Sequence, residues 1–132
     1  MRILSEKIMS TEQVESETDY VFCEVDKYGS KKYYNAEGQR HREDGPAVEY
    51  SNGDKEWFLN GKLHREDGPA KEFKANKYWY INDERHREDG PAIEYAYGDK
   101  SWYLNNKKVT EETVRMRKIE KWIALCLRSL RI

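Results

Sequence analysis

Hydrophobic and polar residues alternate over short runs between residues 20 and 109, and glycine, asparagine or aspartate separates the runs. Alternation with a period of two is typical of β-strands that have one buried face. The dipeptides Asn52-Gly53 and Asn60-Gly61 favour tight hairpin turns between such strands. We therefore predict an antiparallel β-region over residues 20–109.

The pattern changes to a helical period after residue 109. Thr110 is a suitable N-cap, and two glutamates follow it in the first turn, where the helix dipole favours acids. Apolar residues then recur at spacings of three and four. This apolar stripe consists of Met116, Ile119, Trp122, Ile123, Cys126, Leu127 and Leu130. We predict an amphipathic helix within residues 110–132 whose stripe covers one face of the sheet as the missing half of the core. The alternative is that the helix lies on a membrane surface or in the groove of a partner.

One heptapeptide, His-Arg-Glu-Asp-Gly-Pro-Ala, occurs three times without a substitution, at residues 41–47, 64–70 and 86–92. A fixed period of 22 to 23 residues indicates a repeat architecture in which neighbouring units stack. The predicted fold is mainly β, with a single antiparallel sheet of about four such units and a C-terminal α-helix packing on one face. Residues 1–19 are expected to form an arm or a short helix before this sheet.

The chain has 132 residues and a net charge of −1, and charged residues make up 37% of it. This length predicts one domain with a thin core. The balanced charge argues against nucleic acid or an anionic membrane as the partner. The two cysteines lie far apart in the sequence, which favours free thiols in a reducing compartment. No apolar run is typical of a signal peptide or a membrane span, so we expect a cytoplasmic protein.

The heptapeptide contains a base, a cation and two acids, but its repetition argues against catalysis, since a catalytic site is built once from residues in different environments. Its histidines would lie roughly 9–10 Å apart if each unit adds two strands, which is too far to share one metal ion. We therefore expect no enzyme activity, metal or cofactor. The arginines are expected to pair with carboxylates, and the glycine before proline to take a positive φ. The predicted structural residues of the turns are His41, Arg42, Asp44 and Gly45, then His64, Arg65, Asp67 and Gly68, and finally His86, Arg87, Asp89 and Gly90.

Aromatic residues are expected on both faces of the sheet, because adjacent aromatic residues in a strand point to opposite sides. Exposed aromatic residues often dominate protein interfaces. The candidate partner-binding residues are Trp57, Trp79, Tyr80, Trp102 and Tyr103. The apolar face of the helix is a second candidate surface, carried by Ile119, Trp122, Ile123, Cys126, Leu127 and Leu130.

The repeat unit, with its aromatic pair, its Asn-Gly turn and its period of 22 to 23 residues, resembles the MORN and MORN-like repeats. The heptapeptide, followed by x-Glu-Tyr/Phe and Trp-Tyr-x-Asn, is similar to a variant found in small proteins of phages and large viruses. The resemblance covers about residues 20–108. It implies a twisted antiparallel sheet that serves as a binding scaffold, usually for proteins and sometimes for lipids. The chain departs from the standard glycine pattern at Asp83 and Asn106.

The leading functional hypothesis is a non-enzymatic scaffold, specifically a phage accessory protein that binds and inhibits a host defence or regulatory protein in the host cytoplasm. The phage origin is implied by the resemblance alone. One alternative is a self-associating structural protein that forms a homodimer. Another is a lipid or membrane-surface binder that uses the basic amphipathic helix, although neither membrane nor nucleic acid is the expected partner.

Overall fold

A computed structural model describes residues 20–130 of the chain. The predicted arm at residues 1–19 lies outside the described residues. Within these residues, thirteen short strands precede one helix, α1, which spans Glu111–Ser129. The strands are β1 (Phe22–Val25), β2 (Lys31–Tyr34), β3 (Val48–Glu49), β4 (Lys55–Glu56), β5 (Phe58–Leu59), β6 (Lys62–Leu63), β7 (Lys71–Phe73), β8 (Asn76–Tyr78), β9 (Tyr80–Ile81), β10 (Glu84–Arg85), β11 (Ile93–Glu94), β12 (Lys100–Leu104) and β13 (Lys107–Val109).

Nine of these strands form one antiparallel sheet in the order β1-β2-β3-β4-β7-β8-β11-β12-β13. The hairpins β5-β6 and β9-β10 are separate two-stranded sheets. Each full repeat adds two strands to the main sheet, and the first two then continue into one of these hairpins. The predicted fold class, a mainly β protein with one antiparallel sheet and a C-terminal helix against it, is confirmed.

The hairpin turns have the left-handed backbone that their sequences favour. Asn60 and Gly61 have φ values of +48° and +84°, as expected for a two-residue turn between twisted strands. The pairs Asn82-Asp83 and Asn105-Asn106 adopt the same conformation, although they contain no glycine. The departures from the standard glycine pattern therefore leave the turn unchanged. The turn Lys74-Ala75 is more unusual, because Ala75 has a φ of +71° and no polar side chain to favour it.

The core is thin and is centred on the last residue of each heptapeptide. Ala47, Ala70 and Ala92 are completely buried. Their backbones continue the sheet, since the Ala70 carbonyl accepts from the Trp57 N–H at 2.7 Å and the Ala70 N–H donates to the Tyr78 carbonyl at 2.8 Å. An alanine at this position thus lets neighbouring units pack backbone against backbone.

The two faces of the sheet carry different aromatic residues. Trp102 and Tyr103 are consecutive in β12 and therefore point to opposite sides. We call the side that carries Trp57, Trp79 and Trp102 the tryptophan face. The opposite tyrosine face carries a chain of ring contacts that includes Tyr50 with Phe73 and Tyr78 with Tyr95.

The helix begins as predicted, since the Thr110 side chain accepts from the Thr113 N–H at 3.1 Å. It contacts β12, and Val114 is its one buried residue within the described chain. The predicted packing of a helix on the sheet is confirmed, but the expectation that the apolar stripe fills the core is wrong. Trp122 is 66% exposed and Leu130 is 75% exposed, because the helix lies against the sheet with its other side.

Candidate functional site

Each heptapeptide arginine lies over the ring of an aromatic residue of the preceding unit. The Arg65 guanidinium carbon is 3.9 Å from the centre of the Trp57 ring. Arg65 also donates from Nε to Asp67 Oδ1 and from Nη1 to the Pro69 carbonyl, both at 3.0 Å. Stacking and hydrogen bonding together fix the turn over the previous strand.

The other two copies repeat this arrangement. Arg87 lies 3.9 Å from the Trp79 ring, and Arg42 lies 4.2 Å from Tyr33, which replaces tryptophan in the degenerate first unit. All three arginines also form an ion pair with a strand glutamate: Arg42 with Glu49 at 3.1 Å, Arg65 with Glu72 at 3.9 Å and Arg87 with Glu94 at 3.0 Å. The predicted pairing of these arginines with carboxylates is confirmed.

The heptapeptide glycine leaves space for the side chain of this arginine. We expected Gly45, Gly68 and Gly90 to have a positive φ, and this expectation is wrong, since none of them does. A Cβ atom at Gly68 would instead lie 2.8 Å from Arg65 Cζ, closer than carbon atoms approach without displacement. The glycine is needed because the guanidinium occupies the space of a side chain.

The heptapeptide histidine joins one unit to the next. His64 Nδ1 accepts a hydrogen bond from the backbone N–H of Asn82 at 3.1 Å, while the backbone N–H of His64 donates to the Trp57 carbonyl. Since Nδ1 is an acceptor, the ring proton lies on Nε2, which faces Glu66 at 3.2 Å. His41 and His86 accept from Asn60 and Asn105 in the same way. Within residues 20–130, no group of three or more metal-binding side chains is close enough to hold an ion.

Two grooves open between successive heptapeptides on the tryptophan face. Groove 1 lies between the first and second turns, with Trp57 and Leu59 as its apolar floor and a volume of about 630 Å³. Groove 2 lies between the second and third turns, with Trp79 and Ile81 as its floor and a volume of about 930 Å³. The repeat therefore presents the same kind of concave site twice. We call the row of three turns that borders both grooves the heptapeptide edge.

Exposed carboxylates line the heptapeptide edge. The side chains of Glu66 and Asp67 are 80% and 88% exposed. Asp67 was predicted to be a turn residue, and Glu66 precedes it in the same heptapeptide, but neither was predicted to lie on a binding surface. The available signal was that Glu and Asp recur at the same two positions in every copy, at turns that extend from the sheet.

The helix already places cations on this edge. Lys118 and Lys121 line groove 2, and Lys121 forms an ion pair with Glu88. Glu88 is only 38% exposed, whereas Glu66 at the equivalent position of groove 1 is 80% exposed. The hydrogen bond from Lys121 holds the pKa of Glu88 below its usual value, against the opposing effect of burial.

The structure does not bring the five candidate aromatic residues onto one surface. Trp57 and Trp79 are groove floors, partly covered by arginines, and Trp102 lies on the same face in the last unit. Tyr80 and Tyr103 lie on the tyrosine face, where burial raises the pKa of Tyr80 and Arg85 stacks on Tyr103. A single partner contacting one face would meet only part of this set.

The six helix candidates remain together on one exposed stripe, and none of them lies in groove 1 or groove 2. Cys126 is exposed, and neither it nor Cys23 is in a disulfide. No helix within the described residues is long and apolar enough to cross a membrane. The chain matches no protein-family model, no curated protein and no solved structure.

Proposed function

We propose that this chain is a non-enzymatic repeat scaffold of the MORN-like kind that binds a basic segment of a partner protein along its heptapeptide edge. The observation that carries the proposal is internal to the chain. Lys118 and Lys121 of α1 line groove 2, and Lys121 forms an ion pair with Glu88. The edge thus already accommodates a basic helix at one of its two equivalent grooves.

Groove 1 offers the same chemistry without a helix of the described chain over it. Its floor of Trp57 and Leu59 supplies apolar contact area, and its rim supplies Glu66 and Asp67. Aromatic floors with polar rims are common in protein interfaces. A partner segment with lysine or arginine beside one or two apolar residues fits both parts of this groove.

The polar atoms of the heptapeptides support a scaffold more than an enzyme. Each histidine, arginine and aspartate makes the same structural contacts in all three copies, and catalytic groups instead occupy distinct environments. The finer proposal is that the chain is a phage accessory protein whose partner is a defence or regulatory protein of the host, inhibited on binding in the host cytoplasm. That part rests on the resemblance of the heptapeptide to repeats in small phage and viral proteins.

The test is affinity capture from nuclease-treated host lysate with three matched baits: the unmodified chain, Glu66→Lys and Glu37→Lys. Both substitutions change the charge equally at exposed sites, but only Glu66 lines groove 1. We expect one stoichiometric protein that the unmodified chain and Glu37→Lys retain and that Glu66→Lys loses. Its binding should weaken as salt rises, because the rim charges are exposed.

Two results would contradict the proposal. One is that no stoichiometric protein is captured, and the other is that Glu66→Lys retains the partner as well as the unmodified chain does. Circular dichroism of each bait should show an intact fold, since neither side chain belongs to the core.

A further inference from the structure

The apolar stripe of α1 points away from the body of the protein. Val114, Lys118 and Lys121 follow one another at helical spacing on the side that meets the sheet and groove 2. Ile123 comes nine residues after Val114, which is about two and a half turns and places it on the opposite side. The stripe is therefore exposed because the opposite side of α1 lies against the sheet and groove 2.

The stripe contains the spacing of a helix-pairing seam. Met116, Ile119, Ile123, Cys126 and Leu130 are separated by three, four, three and four residues, which is the pattern of core positions in a coiled coil. The whole stripe, with Trp122 and Leu127, is solvent-exposed along the helix. Scattered surface apolar residues would not repeat in this way.

The residues that flank the seam are complementary between two parallel copies. In that arrangement the residue just before the first core position of each heptad approaches the residue five places later in the partner helix. Arg115 then approaches Glu120 of the second copy, and Trp122 approaches its Leu127. Both contacts occur twice because of the two-fold symmetry. An antiparallel arrangement would instead bring Glu120 close to Leu127, an acid against an apolar side chain.

We propose that α1 binds α1 of a second copy of this chain in parallel, through the seam from Met116 to Leu130. The exposed fractions of the large stripe residues correspond to roughly 600 Å² per helix, taking side-chain areas of about 150–250 Å². Two copies would bury about 1,200 Å², the lower limit for a stable interface. The pair therefore forms a dimer that dissociates on dilution. This goes beyond the proposed function, because the seam and the heptapeptide edge lie on opposite sides of α1.

The distribution of basic residues favours a second copy over a lipid surface. An interfacial helix leaves the cations of its polar face free to reach lipid headgroups. Here Lys118 and Lys121 are on the sheet side of α1, and Lys121 is paired with Glu88. Arg117 and Arg128 fall on that same side by helical spacing.

Sedimentation velocity over a wide dilution series tests the inference on the full chain. We expect a monomer–dimer equilibrium, and Ile123→Arg should weaken it by about tenfold or more because it places a charge in the seam. Leu125→Arg is the matched control, since Leu125 is also a large apolar residue and is at least as exposed as Ile123 but lies off the seam. Leu125→Arg should leave the dimer intact.

Cross-linking tests the orientation. In a parallel pair the two Cys126 side chains face each other, and diamide should join them as it takes up two electrons and two protons. The Cys23→Ser variant should still form this covalent dimer, and Cys126→Ser should not. A monomer at all concentrations, equal weakening by Leu125→Arg, or a dimer that does not cross-link at Cys126 would overturn the inference. A chain that stays monomeric but sediments with phosphatidylglycerol vesicles would overturn it in favour of lipid.

Discussion

The contact between each heptapeptide arginine and its glycine makes an unusual prediction about stability. Replacing glycine by alanine where φ is negative normally stabilises a protein by about 0.4–1 kcal/mol, because it restricts the unfolded chain. Gly68→Ala should have the opposite sign, since its Cβ would lie 2.8 Å from Arg65 Cζ. The guanidinium must shift to make room, which weakens its stacking on Trp57 and its hydrogen bond to the Pro69 carbonyl.

The expected loss follows from the contacts that Arg65 makes. Stacking on an aromatic ring contributes about 0.5–2 kcal/mol, and a hydrogen bond from a charged group contributes about 1.5–3 kcal/mol when it is partly buried. The ion pair with Asp67 adds little, because Asp67 is 88% exposed. Restricting the unfolded chain offsets part of this loss, so Gly68→Ala should lower the free energy of unfolding by about 1–3 kcal/mol.

Equilibrium urea unfolding of a double-mutant cycle measures this effect. The cycle compares Gly68→Ala in the unmodified chain with the same change in Arg65→Ala. Without the guanidinium, Gly68→Ala should become neutral or stabilising, and the midpoint of unfolding should shift accordingly. Gly45→Ala should cost less, because its nearest contact with Arg42 is 3.1 Å. An equal loss in both backgrounds, or a gain from Gly68→Ala alone, would refute the explanation.

Three further predictions concern other parts of the molecule. Ala75→Gly should raise the free energy of unfolding by about 1 kcal/mol in urea unfolding, because Ala75 has a φ of +71°. Ala36→Gly is the control, since Ala36 lies in a turn with a negative φ, and it should not raise the free energy of unfolding. Val114→Ala should lower the free energy of unfolding by about 1–2 kcal/mol, and protease cleavage of α1 should become faster; an unchanged cleavage rate would show that Val114 does not anchor the helix. Lys121→Met should raise the pKa of Glu88, which can be measured by following the carboxyl ¹³C shift of Glu88 with pH. Because the folded-state pKa of Glu88 is depressed, the stability that Glu88 contributes is present above its unfolded-state pKa and is lost as pH falls through the folded-state pKa. A titration of Glu88 that is the same in Lys121→Met would contradict the ion pair.

Local sequence signals predicted most of the fold. The alternating strands, the Asn-Gly turns and the Thr110 N-cap each depend on a few neighbouring residues, and the structure has all three. The repeat period predicted that the units would add to one sheet, because identical sequences form identical interfaces between neighbouring repeats. The pairing of arginine with carboxylates was also predictable, since both groups recur at fixed spacing.

The role of the heptapeptide glycine was not predictable from local rules. A glycine before proline is typical of a turn with positive φ, but Gly68 is required by the position of a side chain three residues earlier. That position depends on Trp57, which belongs to the preceding unit. Only the folded structure brings Gly68, Arg65 and Trp57 together.

The orientation of α1 was likewise beyond the sequence pattern. An amphipathic helix shows that an apolar stripe exists, but it does not show whether the stripe meets the same chain or another one. Here an ion pair between Lys121 and Glu88 and the burial of Val114 turn the stripe outward. Charge on the heptapeptide edge therefore affects which side of the helix meets the sheet.

The most direct test of the heptapeptide edge as a binding surface is a nitrogen–proton NMR titration that follows the tryptophan indole N–H signals. The probe is a synthetic helical peptide of lysine and alanine, and the same peptide with glutamate in place of lysine is the control. Trp57 reports on groove 1, Trp79 on groove 2 and Trp122 on the helix stripe. The lysine peptide should move the Trp57 signal most and leave Trp122 unchanged, while the glutamate peptide moves neither. An unmoved Trp57 signal, or equal shifts with both peptides, would contradict the account.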